Sequence, residues 1–149
     1  MHAAFTNTLR QAVDRAQQKA RQLNQEFVGT EHLFLSLLDA DACEAARALR
    51  LQNLNPRQLR SALVAQLPQG KHPPVISGDL PLSPKAQRAI NTAIVKAQSL
   101  GDKAISTRLL FLTLLDHPDS LLVQILRSGG ADNDALQRFL AARPEESEK

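Results

Sequence analysis

Sliding the 149-residue sequence against itself by 77 positions aligns residues 5–66 with 82–143 without a gap, and this duplication restricts the fold more than any other feature of the chain. Ala16 falls on Ala93, Lys19-Ala20 on Lys96-Ala97, Leu23 on Leu100 and Thr30 on Thr107. Leu33-Phe34-Leu35 falls on Leu110-Phe111-Leu112, Leu37-Leu38-Asp39 on Leu114-Leu115-Asp116, and Leu49-Arg50 on Leu126-Arg127. Leu59 and Leu63 then meet Leu136 and Leu140. Leu-rich helices rarely hold one register by chance over so long a stretch, so the chain is one unit written twice. Either half alone is marginal as a domain, and the two are expected to share a core.

Each copy reads as four helices, which makes the expected fold all-α: eight helices as a tandem, pseudo-twofold repeat. Helix one runs from Thr6 to Leu23, with Leu9, Ala12, Val13, Ala16, Ala20 and Leu23 at three-to-four spacing. Its twin starts at Ser83 as N-cap with Pro84 in the first helical position. Helix two, Thr30 to Leu38 and Thr107 to Leu115, is apolar nearly all round and is expected at the buried centre. Helix three covers Ala42 to Leu51 and Ser120 to Ser128, the second stopped by Gly129-Gly130. Helix four starts at Asn55-Pro56 and at Asp132. The near absence of aromatic residues, 3% of the chain, and the abundance of Leu and Ala agree with helices rather than sheets.

The expected boundaries are a single domain over 1–143, with repeat 1 at 5–67, a linker at 68–81 and repeat 2 at 82–143. A charged, frayed tail is expected at 144–149. Four prolines and two glycines between Pro68 and Pro81 break helices and predict an extended linker. No apolar run approaches a membrane span of about 18 residues, which points to a cytoplasmic protein without a membrane partner. The single cysteine, Cys43, excludes an internal disulfide framework; beside Ala42, Ala45 and Ala46 it reads as a packing residue.

The string Phe5-Thr6-x-x-Leu9-x-x-Ala12-Val13-x-x-Ala16, followed by Val28-Gly29-Thr30-Glu31-His32-Leu33-Phe34-Leu35, resembles the start of the Clp N-terminal repeat. Leu82-Ser83-Pro84 resembles the opening of that family's second repeat, and the likeness extends from Phe5 to about Ala142. It implies a domain that sits ahead of AAA+ ATPase rings and receives substrates or adaptor proteins. It also implies a monomer on a flexible tether. No motor is legible in the chain itself. The sole Gly-Lys pair, Gly70-Lys71, has Ala65 where a phosphate-cradling loop needs its first glycine and His72 where it needs Ser or Thr.

Thr30, Glu31 and His32 have a structural reading: Thr30 caps helix two, Glu31 complements its positive end and His32 covers its flank. Resemblance to ClpC-type members adds recognition of phosphorylated arginine at this segment, where an acid beside free amides can hold a guanidinium while the helix start receives a phosphate. The matching Thr107-Arg108-Leu109 carries a cation where an acid is required, so a second such site is not expected. Resemblance to ClpB-type members nominates a substrate groove at Thr6 and Asp102, with Arg108 reversing the charge at its third position.

The leading expectation is therefore a non-catalytic module that binds apolar or basic segments of unfolded or tagged clients, or an adaptor, for a Clp-type ATPase. The alternative is a helical nucleic-acid-binding domain, suggested by the net charge of +3. Against it, acids are interspersed among the bases in both repeats, and no helix is rich in Arg, Lys and Asn. His2, His72 and His117 lack ligand-spaced neighbours, and Ser61, Ser99 and Ser106 lack a paired base. Neither a metal, a cofactor nor a catalytic group is expected.

Overall fold

Residues 4–39, 43–116 and 120–142 are described by a computed structural model of the chain. His2, Ala42, His117 and the 144–149 segment, all invoked above, lie outside them. The described order is β1 (Ala4–Phe5), α1 (Asn7–Gln22), α2 (Thr30–Asp39), α3 (Glu44–Leu51), α4 (Pro56–Gln66), α5 (Pro84–Leu100), β2 (Ala104–Ile105), α6 (Thr107–Leu114), α7 (Leu121–Ser128) and α8 (Asn133–Ala141).

Short polar side chains set most of the helix starts by accepting an otherwise orphaned backbone N–H. Thr6 and Ser83 each accept at 3.1 Å, from Leu9 and Ala86 respectively, and Asn55, Ser106, Ser120 and Asp132 cap α4, α6, α7 and α8. The buried Cys43 takes this role for α3, its Sγ accepting from Ala46 N–H at 3.3 Å. Asn24 (φ 57°) follows α1 in the left-handed region and Gly101 (φ 73°) follows α5, 77 positions on. Asn53 (φ 60°) and Gly130 (φ 95°) repeat the relation after α3 and α7. Asn and Gly are the residues that tolerate this conformation, so the duplication keeps the backbone turn while changing the residue.

The two copies interlock reciprocally. Phe5 pairs with Ile105 in parallel register, and Leu82 pairs in parallel with Val28. Thr6 N–H donates to the Ile105 carbonyl at 2.9 Å, and Ser83 N–H to the Val28 carbonyl at 2.8 Å. In both cases the segment leading into one repeat's first helix pairs with the segment ahead of the other's central helix, the pattern of a local twofold relation. Among the described residues, the two-residue strands depart from the expected helices alone. They satisfy backbone groups of loops that the packing buries.

Every residue of α6 is buried, as are Thr30 and residues 32–38 of α2. The two central helices pack on each other, and Phe34 and Phe111 meet with ring centroids 5.4 Å apart. The hydroxyls of Ser36 and Thr113, also buried, are satisfied within their own helices by the Leu33 and Leu110 carbonyls.

The segment between the copies is an extended strap held along α1 and the turn after it. Gly70 N–H donates to the Leu23 carbonyl at 2.8 Å, and Asn24 Nδ2 donates to the Gly70 carbonyl at 3.2 Å. Gln25 Nε2 donates to the Pro68 carbonyl at 3.0 Å. Gln17 bonds both the carbonyl and the N–H of Leu80, and Arg21 donates to the Ile76 and Gly78 carbonyls. Apolar patterning gives no sign of these anchors, because Gln17, Arg21, Asn24 and Gln25 are all polar.

Candidate binding groove and its closed counterpart

The start of α2 is built differently from the expectation. Leu33 N–H donates to the Gly29 carbonyl at 3.2 Å, so Gly29 holds the capping position and Thr30 is the first helical residue. His32 completes the cap: its Nδ1 accepts from Gly29 N–H at 2.8 Å. A Cβ added at Gly29 would lie 2.7 Å from Glu31 Oε2, so the carboxylate folds over the place a capping side chain would fill. Burial lowers the His32 pKa from its ordinary 6.5, while the neighbouring Glu31 charge acts in the opposite sense. His32 is thus a neutral, structural imidazole rather than a flank cover.

Beside this helix start lies a groove of about 470 Å³. It is lined by Thr30, Glu31 and His32 at the start of α2 and by Ser83, Pro84, Lys85 and Arg88 at the start of α5. Phe27, 51% exposed, lines it as well, with Leu67, Pro68 and Leu121. Such a volume sits within the range of roughly 300–1,000 Å³ typical of ligand sites.

The 77-residue shift carries Glu31 to Arg108, Leu121 to Glu44 and Gln25 to Asp102, and at that second corner the space is occupied. Arg108 is only 7% exposed. Its Nε lies 3.3 Å from Glu44 Oε2, its Nη2 lies 3.9 Å from Asp102 Oδ2, and its Nη1 donates to the Leu140 carbonyl. Arg108 was expected to line a groove of altered polarity. It is instead a buried cation tying α3 of one repeat to α6 and α8 of the other, because Glu44 of the first repeat joins Asp102 of its own repeat beside the guanidinium. Thr107 is fully buried and its Oγ1 accepts from Ala45 N–H at 3.3 Å, a second tie between the repeats. Thr6, also buried, joins this corner through Ile105.

The residues nominated from sequence therefore separate into two groups. Thr30, Glu31 and His32 border the open groove; Thr6, Asp102, Thr107 and Arg108 belong to the closed corner. Phe27, Lys85 and Arg88 escaped notice. Phe27 sits in a loop without motif, and Lys85 and Arg88 read as ordinary solvated charges on α5 until that helix is packed beside α2. A smaller hollow of about 250 Å³ lies beside the contact of α4 with α7, lined by Leu54, Leu59 and Ile125 together with the amides of Gln58, Gln66 and Gln124. Among the described residues no cluster of three or more His, Cys, Asp or Glu could hold a metal ion, and no helix is long and apolar enough to cross a membrane.

The family described as the Clp repeat (R) N-terminal domain matches residues 4–128. The chaperone protein ClpC1, chloroplastic, of Oryza sativa subsp. japonica is 29% identical over 132 residues, which are 89% of this chain and 14% of that protein. A ClpA homolog of the ATP-binding subunit of the ATP-dependent Clp protease, from Trieres chinensis, is 25% identical over 100% of this chain and 17% of its own length. The chain thus spans only a small part of these relatives. The crystal structure of the Hsp104 N-terminal domain from Candida albicans superposes with a TM-score of 0.77 at 16% identity, covering 93% of this chain and 89% of that one. The N-domain of ClpV from Vibrio cholerae also gives 0.77, at 18% identity, over 97% and 89%. A ClpV N-domain in complex with a VipB peptide gives 0.72 at 17% identity, over 93% and 86%. At these identities the structural likeness is one of fold.

Proposed function

The chain belongs to the Clp repeat N-terminal domain family, and from that premise we propose that it is a non-catalytic protein-binding module. It receives unfolded or tagged polypeptides, or an adaptor protein, and passes them to a Clp-type ATP-driven unfoldase. The observation that carries this reading is the preformed groove beside Glu31, open where its repeat counterpart is filled by Arg108. A groove that needs no rearrangement lowers the ordering cost of capturing a flexible chain, although the small area buried keeps affinity modest. The ClpV N-domain solved with a VipB peptide supports peptide capture by this fold. We place the module in the cytoplasm, monomeric in isolation, without a cofactor and without nucleic acid as a ligand.

Amide NMR spectra recorded during addition of a permanently unfolded polypeptide test the proposal. Shifts clustered at Phe27, residues 29–32 and Ser83 support docking in the open groove, whereas shifts confined to Thr6, Asp102 and Arg108 move the site to the other corner. A spectrum unchanged at high client concentration overturns client capture. Titration with a DNA duplex at two salt concentrations tests the nucleic-acid alternative, which demands binding that weakens steeply with salt.

A second reading, recognition of phosphorylated arginine, is favoured by one observation: Glu31 lines the same groove as the cations Lys85 and Arg88. Glu31 would take the guanidinium and the cations the phosphate. Free phosphoarginine then shifts these amides at concentrations where arginine and inorganic phosphate together do not.

A further inference from the structure

We propose that the open groove selects partner segments in which a carboxylate neighbours a large apolar side chain, rather than the apolar or basic segments that the sequence suggested. The inference rests on the reading of this groove as a polypeptide-binding site. It follows from how charge and apolar surface are distributed across the groove.

Lys85 and Arg88 stand one helical turn apart at the start of α5, both exposed and both lining the groove. Neither forms an ion pair with an acid among the described residues. The apolar side chains lining the groove, Phe27, Leu67, Pro68 and Leu121, come from loops and helix ends of both repeats. Phe27 in particular leaves half its surface in water, a cost that an inserted apolar side chain removes. An acid next to that side chain reaches the α5 wall and forms charge-assisted hydrogen bonds with an ammonium or a guanidinium.

Glu31, which lines the groove from α2, repels the same carboxylate. The segment is therefore oriented with its acid toward α5, and one lying the other way round is penalised. A lysine beside the apolar residue finds one opposite charge on α2 against two like charges on α5, so it is held less well than the acid in the same site. The shift by 77 places Thr8 and Gln11 at the positions of Lys85 and Arg88, so the second corner has no counterpart of this charge pair.

The test uses this chain and short labelled peptides of one neutral sequence that carry Phe followed by Glu, Gln or Lys, read by fluorescence anisotropy at low and at physiological ionic strength. The Glu peptide is expected to bind about three- to tenfold more tightly than the Gln peptide at low salt, with the gap narrowing as salt rises. The Lys peptide should bind more weakly than the Glu peptide. Lys85→Glu with Arg88→Glu should reverse the order, and a thermal melt checks that these exposed substitutions leave the fold intact. Equal binding of all three peptides, or preference for Lys, overturns the charge signature while leaving polypeptide capture standing. If none of the peptides binds, and the groove amides stay unshifted with an unfolded protein as well, both proposals fall.

Discussion

Phe34 and Phe111 stack across the junction of the two repeats with ring centroids 5.4 Å apart and planes inclined by 31°. They are the same position of the repeated unit, 77 residues apart, and both are fully buried. A contact between equivalent positions is what a twofold relation places on its axis, and here it joins the centres of α2 and α6. Phe34→Ala or Phe111→Ala should each cost about 3–5 kcal/mol, the usual loss for truncating a buried aromatic ring. Urea unfolding measures it. Because the pair belongs to both halves, the two variants should lose similar stability and still unfold in one transition; separate transitions for the halves would show that the core is not shared.

Arg108 offers a contrast between charge and volume. Removing it alone takes this cation from the buried Glu44 carboxylate and this donor from the Leu140 carbonyl, so Arg108→Ala should destabilise by about 3–5 kcal/mol. Arg108→Met combined with Glu44→Leu should recover most of that loss, since well-packed apolar residues replace a buried ion pair at little cost. Thermal denaturation of the single and double variants decides the point. If Arg108 instead faced a solvated groove, Arg108→Ala would change stability by less than about 1 kcal/mol.

The buried imidazole of His32 predicts a pH dependence. Its folded pKa lies below the unfolded value near 6.5, so the unfolded chain binds the proton more readily. The contribution of His32 to stability is complete above pH 6.5 and falls as pH drops from there toward the lowered folded value. Denaturant midpoints measured across this window should decline on acidification, and His32→Asn, which keeps an acceptor for Gly29 N–H, should flatten that part of the profile.

Gly70 is where the strap meets the end of α1. A Cβ there would approach the Asn24 carbonyl oxygen to 2.2 Å, a contact that backbone cannot relieve without moving. Gly70→Ala should detach this part of the strap from α1. Hydrogen exchange should then accelerate at Gly70, which loses its bond to Leu23, and proteolysis should increase between Pro68 and Leu80, with the helical core little changed.

Much of this architecture was legible in the residues themselves. The repeat register, the helix-starting side chains Thr6, Ser83, Asn55 and Asp132, and the apolar sequences of α2 and α6 are local or periodic signals. They follow from backbone groups that need partners and from apolar surface that must leave water. The segment Thr30-Glu31-His32 could likewise be picked out as a helix start, although its cap belongs to Gly29 because Glu31 and His32 fold back over it.

Tertiary structure alone decided which of the two equivalent corners stays open. Arg108 looks like a surface cation in sequence; only the approach of α3 from the other repeat brings Glu44 against it and closes the space. Lys85 and Arg88 gain their meaning the same way, when α5 of the second repeat comes to lie beside α2 of the first. Sequence determines what each element buries and where it begins, since those depend on near neighbours along the chain. The charge pattern of a groove between repeats depends on residues dozens of positions apart, and no local physical signal records which of them will meet.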